Sequence, residues 1–318
     1  MTNKLLKRLL YSPFFSLFCL VLWQPLFGQT GISFSTYSLN GESSNNPTSL
    51  QFGPDGRLYV AQQDGLIYAY TIERSDVSGI SYDVVATETI DIVKNQTPNH
   101  NDDGTANLTT IRQVTGLLVT GTAENPVLYV TSSDNRIAVG NDSGLDTNSG
   151  VISELTWNGT EWEKVDIVRG LPRCEENHAI NGLDLDPAAN MLYVQMGGNT
   201  NKGAPSNNFS GTPEYFFSGA LLRVDLNVID AMPVYNDPRT NTQFKYDLPT
   251  LNDPTRPDID NTSPDFPYPS GHPLYNATID IGDPFGGNNS LNQAFPEKGG
   301  PVQAFAPGFR NAYDVVVT

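Results

Sequence analysis

The feature that most constrains this chain is a tripeptide that returns. Leu-Tyr-Val occurs at Leu58-Tyr59-Val60, Leu128-Tyr129-Val130 and Leu192-Tyr193-Val194, with tyrosines 70 and then 64 residues apart. A turn precedes each copy: Gly53-Pro54-Asp55-Gly56, Glu124-Asn125-Pro126, and Asp186-Pro187-Ala188-Ala189-Asn190. A short apolar run comes before each turn, at Ser49–Phe52, Gly116–Val119 and Gly182–Leu185. After each triplet come a loop and a further run, Gly65–Ile72, Gly150–Thr156 and Gly219–Leu226, and outer strands fit at Val84–Val93 and Glu161–Val168. Strand, tight turn, β-rich strand, loop and strand make an antiparallel meander, and repetition at this period is the mark of propeller blades. One blade cannot bury both of its faces, so several must stack.

The repeat also sets expectations for the whole. Ala312–Thr318 reads as the first strand of a fourth blade, and six blades of ~65 residues would need roughly 400 residues. The expected fold is therefore an all-β, six-bladed β-propeller, of which residues 29–318 supply the N-terminal part, about three blades and the start of a fourth. Residues 227–300, rich in Pro, Asp and Asn, read as a long insertion between the third blade and that last strand, running over one face.

Lys4, Lys7 and Arg8 lead an apolar run ending near Phe27, with small Gly28 after it. That order is the order of a secretory signal peptide over 1–28, and it implies a secreted, extracellular or periplasmic, bacterial protein. A membrane anchor would need about 20 apolar residues, and Ser12, Pro13, Gln24 and Pro25 interrupt the run. No stable membrane insertion is expected after cleavage. Those residues hold three cations and no anion, so the remainder carries 15 basic against 35 acidic residues, a formal charge of −20. Such a surface repels phosphate backbones and excludes nucleic acid as a partner. Cys174 is then the one cysteine, so no intramolecular disulfide staples the fold.

Aligning the blades on Leu50, Leu117, Leu183 and Val315 places Asn45, Arg112, His178 and Arg310 five residues upstream, in the loops entering each blade. Equivalent loops of a propeller surround one mouth of its channel. Two arginines and a histidine there suit an anionic ligand and a proton acceptor. A loop histidine alone is more often structural, and a loop arginine can simply cap a local carboxylate.

Three segments carry a family resemblance. Gly170-Leu171-Pro172 running to His178 and then Asn181-Gly182-Leu183, Gly219-Ala220-Leu221-Leu222-Arg223-Val224-Asp225, and Gly308-Phe309-Arg310-Asn311 together resemble the PQQ-dependent glucose/sorbosone dehydrogenases. The resemblance implies PQQ on the axis with calcium, a sugar or polyol substrate, His178 as general base, and Arg310 and Asn311 contacting the quinone. Arg310 would also stabilise the charge developing on it. Substrate contact falls near Arg112 and Gln113, the latter after a one-residue shift. Gly198 stands where the family has an Asp that orients the histidine, so that control is expected to be weaker here. The metal ligands are not identifiable; an acidic turn, His100-Asn101-Asp102-Asp103-Gly104, reads as a calcium loop or as plain solvated surface. Two other readings remain beside the oxidoreductase: a calcium-dependent lactonase, which the basic entrance residues disfavour, and a non-catalytic propeller binding extracellular glycan or protein, which Gly198 favours.

Overall fold

The computed structural model describes residues 33–100, 106–107, 111–137, 148–174, 176–209, 211–237, 240–249 and 294–318. Residues 1–28, expected to be a signal peptide, most of the acidic turn and the greater part of the insertion lie outside them. The chain divides into two units, Met1–Ser38 and Leu39–Thr318; in the first, residues 33–38 carry no regular element.

The second unit is built of three successive meanders, and each Leu-Tyr-Val triplet lies in the second strand of one. The first sheet holds β1 (Leu39–Asn40), β2 (Pro47–Phe52), β3 (Leu58–Gln62), β4 (Ile67–Ser75) and β5 (Ser81–Ile90), in the order β1-β5-β4-β3-β2. A short helix α1 (Ile92–Gln96) and a two-stranded pair, β6 (Asn99–His100) and β7 (Ala106–Asn107), lead to the second. The second runs β8 (Arg112–Gly121), β9 (Pro126–Asp134), β10 (Gly150–Trp157) and β11 (Trp162–Leu171), and the third begins with β12 (Ile180–Asp186), β13 (Met191–Met196) and β14 (Ala220–Asp225). A 3-10 turn (Asn207–Phe209) precedes β14, and helix α2 (Leu226–Asp230), β15 (Tyr235–Asp237), β16 (Thr242–Phe244) and β17 (Val302–Pro307) follow it among the described residues.

The first strands of the meanders pack against one another, and alternation along them explains how. On β8, Leu117 and Val119 enter the core shared with Tyr59, Ala61 and Ile67 of the first sheet. Leu118, pointing the other way, joins Leu183, Leu192 and Val194 of the third. Side chains of successive strand residues face opposite ways, so one strand can serve two cores. Polar contacts fix the spacing. The Gln51 amide donates to Val119 O at 3.2 Å and accepts its N–H at 2.8 Å. The Thr131 hydroxyl donates to Asn181 O at 2.7 Å, and Thr115 donates to Ile180 O. Among the described residues the fold is all-β in its sheets and β-propeller-like in the order and stacking of its meanders.

Two expectations are corrected. The outer strand of the third sheet is β17, which pairs with β14 from Ala220↔Pro307 to Val224↔Val302. The insertion therefore lies inside the third meander, between its third and fourth strands, not after it. Residues 311–318 form no strand; they run beside β12, where the Gly182 N–H donates to Tyr313 O at 2.8 Å.

The described start of the insertion does not lie over a face. It extends the edge of the second sheet, with β16 parallel to β11 and β15 outside it. Arg169 of β11 is the anchor. Its Nε and Nη2 donate to both oxygens of Asp247, at 2.6 and 2.7 Å, and Nη1 donates to Asp237 Oδ2 at 2.9 Å. The guanidinium also stacks on Phe244, 3.7 Å from the ring centroid. All three charged side chains are wholly buried. Removing the cation strands two buried carboxylates, so Arg169→Met should destabilise the protein by about 3–5 kcal/mol, read as a lower urea midpoint.

Candidate active site

The site is built where four short segments meet: the loop after β11, the Gly-Gly pair after β13, the turn before β14 and the segment after β17. The first is held by Arg173, which is buried and donates to five backbone carbonyls and, at 3.6 Å, to Cys174 Sγ. It donates to Asp134 O at 2.8 Å, Arg136 O at 3.0 Å, Glu176 O at 2.9 Å and His178 O at 3.2 Å, and to Cys174 O. A planar fork with five donors can gather carbonyls in this way. Cys174 closes the same turn: its N–H donates to His178 O at 3.1 Å and its sulfur accepts the His178 N–H at 2.9 Å. Burial pushes its thiol up to about 11, so it stays protonated, unpaired and structural.

His178 is thereby fixed at its backbone and is 2 % exposed. Its ring packs on Phe209, centroids 5.0 Å apart, and Nδ1 lies 2.7 Å from Gly198 O. A carbonyl only accepts, so Nδ1 carries the proton and Nε2 of the neutral ring holds the free lone pair. Burial lowers the imidazole below its ordinary 6.5; the Gly198 bond works against that shift, and the charge of Arg310 adds to it.

Gly197 and Gly198 are the hinge of the arrangement. The Gly197 N–H donates to Ala179 O at 2.8 Å and Gly198 N–H to Arg310 O at 2.7 Å. Gly219 N–H reaches Gly197 O at 3.1 Å, and Gly308 and Phe309 both donate to Gly219 O. A Cβ on Gly197 would sit 2.6 Å from His178 Cβ and 2.7 Å from Asn311 Oδ1. Gly219 has φ +59, a backbone conformation that side chains disfavour.

Of the residues expected to share a cavity, His178, Arg310 and Asn311 lie around this glycine pair, but only Arg310 lines the open cavity beside it; His178 and Asn311 do not. Arg310 is exposed, and its guanidinium donates to Asn201: Nε to the backbone O at 2.9 Å, Nη2 to Oδ1 at 2.7 Å. Asn311 Oδ1 accepts from Asn181 Nδ2 at 2.8 Å, which leaves its own Nδ2 with donors to offer. Arg310 borders an open cavity of about 450 Å³ with Asn201, Lys202, Glu214, Phe216 and Phe309.

Arg112 and Gln113 are elsewhere. Arg112 was expected in an entrance loop but is the first residue of β8, and its side chain is buried. It donates to Asn99 Oδ1 at 3.2 Å, Ser132 Oγ at 3.2 Å and Ser132 O at 3.0 Å, and also to Ser149 O. Gln113, also buried, donates to Ser133 Oγ at 3.0 Å. Asn45 is exposed, and its backbone N–H bonds Gln62.

The expected loss of control over His178 is also revised. A Cβ at position 198 would lie 2.8 Å from Glu214 Oε1, so a side chain there would have to displace the Glu214 carboxylate. The Gly198 carbonyl orients the ring in place of a carboxylate. The sequence reading missed Arg173, Phe209 and Glu214. Arg173 had a signal, a cation beside the loop histidine, whereas Glu214 sits in no motif.

No protein-family model matches the chain, and neither does any curated protein. Similar solved structures include the Trichoderma reesei enzyme of Carbohydrate-Active Enzymes Family AA12. Its iodide structure is 18 % identical, covering 60 % of this chain and 39 % of that one, with a TM-score of 0.34. Its calcium structure is 17 % identical, covering 66 % and 44 %, with a TM-score of 0.35. The PQQ-bound aldose sugar dehydrogenase of Streptomyces coelicolor is 14 % identical, covering 67 % and 55 %, at 0.34. The matched part thus spans between 39 % and 55 % of the length of these proteins.

The Gly197 contacts generate a test. Gly197→Ala should cost about 1–3 kcal/mol by overpacking and move His178 off the Gly198 carbonyl. Urea unfolding and the exchange rate of the Nδ1 proton report the two effects.

Proposed function

We propose that this chain is a secreted quinoprotein oxidoreductase that oxidises a hydroxyl of a sugar or polyol with PQQ, using His178 as general base. The reading includes a six-bladed propeller, with these meanders as three of its blades. One observation carries it: the same glycine holds the imidazole, whose Nδ1–H donates to Gly198 O, and the backbone of an exposed arginine, whose Arg310 carbonyl accepts the Gly198 N–H.

The residues fit a flat, polyanionic cofactor. Arg310 presents an exposed planar cation, Asn311 has amide donors to give, and glycines at 197, 198, 219 and 308 keep side chains out of the way. Arg310 and Asn311 would hold PQQ, whose part when bound is to accept two electrons. Calcium is the cation proposed with it. No group of three or more His, Cys, Asp or Glu that could hold a metal occurs among the described residues. No described helix is long and apolar enough to cross a membrane.

His178 does the proton work. Nε2 would take the proton of the substrate hydroxyl, the bound quinone would supply the acceptor for the hydride, and the Nδ1–H bond to Gly198 would hold the ring as it becomes cationic. Arg310 would favour negative charge on the quinone when it is bound. Because burial and Arg310 lower its pKa, His178 is neutral and competent at pH 7, and activity is lost only as pH falls through that lowered value. Arg112 and Gln113 are proposed to serve the substrate side indirectly, by fixing the second sheet's first strand.

The protein reconstituted with PQQ and calcium should reduce a dye in the presence of aldoses or polyols. His178→Gln should lower kcat about 10²–10⁴-fold, and the acid limb of the kcat/KM profile should lie below pH 6.5. Lactone hydrolysis without quinone, or saturable glycan binding without turnover, would replace this reading with one of the other two.

A further inference from the structure

Glu214 belongs to none of the sequence motifs, yet its carboxylate organises the back of the site. Oε2 accepts the Asn199 N–H at 2.8 Å and the Ser218 hydroxyl at 2.6 Å. Oε1 accepts the Thr200 N–H at 3.0 Å and the Thr200 hydroxyl at 2.6 Å. The Asn199 N–H and the Gly198 C=O belong to one peptide group, and no peptide bond of the described residues is cis. In a trans peptide those two dipole ends point in opposite directions. One end meets Glu214, and the other meets His178 Nδ1 at 2.7 Å.

We infer that Glu214 positions and polarises His178 through the single peptide group between Gly198 and Asn199. An anion against the N–H shifts amide electron density toward the carbonyl oxygen and makes it a stronger acceptor for the Nδ1 proton, because hydrogen bonds in a chain polarise one another. The result is a carboxylate–peptide–imidazole relay, in which the carboxylate acts one peptide removed from the ring. It fixes the tautomer and favours the imidazolium once Nε2 is protonated. The Nδ1 proton itself stays where it is. Placement explains why the carboxylate comes from Glu214: the space beside position 198 is already filled by its oxygens.

The other charged groups facing His178 are Arg310 and Arg173, which disfavour its cation, and Glu176, which favours it; Cys174 is a neutral thiol in the same turn. Removing the Glu214 charge leaves the two arginines less opposed. Glu214→Gln should therefore shift the His178 titration to lower pH and move its Nδ1 proton resonance upfield, as the bond to Gly198 weakens.

The inference rests on His178 acting as a base, but its test does not need turnover. Imidazole ¹⁵N and ¹H NMR of the protein without substrate or cofactor gives the tautomer and the titration directly. Wild type should show the proton on Nδ1. Thr200→Val, which removes one neutral donor and keeps the carboxylate, should leave the His178 titration in place. In the reconstituted enzyme, Glu214→Gln should lower kcat about tenfold, the scale of losing a carboxylate behind a functional histidine, and carry the acid limb to lower pH. An unchanged titration and Nδ1 resonance in Glu214→Gln overturns the relay, as does an equal shift in Thr200→Val. Absence of sugar oxidation in wild type overturns the quinoprotein reading alone, and leaves the spectroscopic test standing.

Discussion

A four-stranded meander has two apolar faces and can cover neither by itself, and everything else in this molecule follows from that. The second sheet is the clearest case. From Arg112 to Val119 its first strand is buried on both sides, with Leu117 and Val119 serving one core and Leu118 the other. Stacking puts the first strands of neighbouring sheets side by side, and so aligns the ends of chain segments that are far apart in sequence. The loops at those ends are where chemistry can be assembled without disturbing the cores, since the sheets supply the rigidity and the loops supply the groups.

At the third sheet this is done with little side-chain bulk. Gly197, Gly198 and Gly219 let neighbouring backbones approach within hydrogen-bond distance, and the resulting ladder of N–H and C=O groups carries the candidate side chains. His178 is held by a peptide carbonyl, Arg310 by the carbonyl and amide of Asn201, and the loop that bears His178 by carbonyls gathered on Arg173. Backbone acceptors hold geometry well because they have few rotamers to lose. They carry no net charge, however, and the Glu214 carboxylate behind the Gly198–Asn199 peptide supplies that charge.

Buried charge is used differently at the edge of the second sheet. Arg169 with Asp237 and Asp247 has no access to water, so the pairing is less a source of net stability than a condition on geometry. The chain leaving the third sheet must return to β11 in one register for Asp237 and Asp247 to reach Arg169. Phe295 N–H donates to Pro249 O at 3.0 Å, so the described ends of the long excursion meet before the chain enters β17.

The sequence by itself determined the meanders. Leu-Tyr-Val with its preceding turn fixes strand, turn and facing strand through contacts a few residues apart, and local patterning is enough to reveal them. A common register at blade entrances, which is a property of position along the chain, singled out His178 and Arg310, while Asn311 entered through the likeness of Gly308-Phe309-Arg310-Asn311 to a family motif. The return of β17 to close the third sheet was decided only by the tertiary structure, since a strand arriving some 76 residues after its partner leaves no local periodicity to read. Arg112 shared the register of His178 but starts a doubly buried strand, so its side chain turned inward to Asn99, Ser132 and Ser149. Glu214 and Gly198 show the same division: a missing carboxylate is visible in the sequence, whereas its replacement arrives through a peptide group from a turn with no motif, and only folding brings the two together.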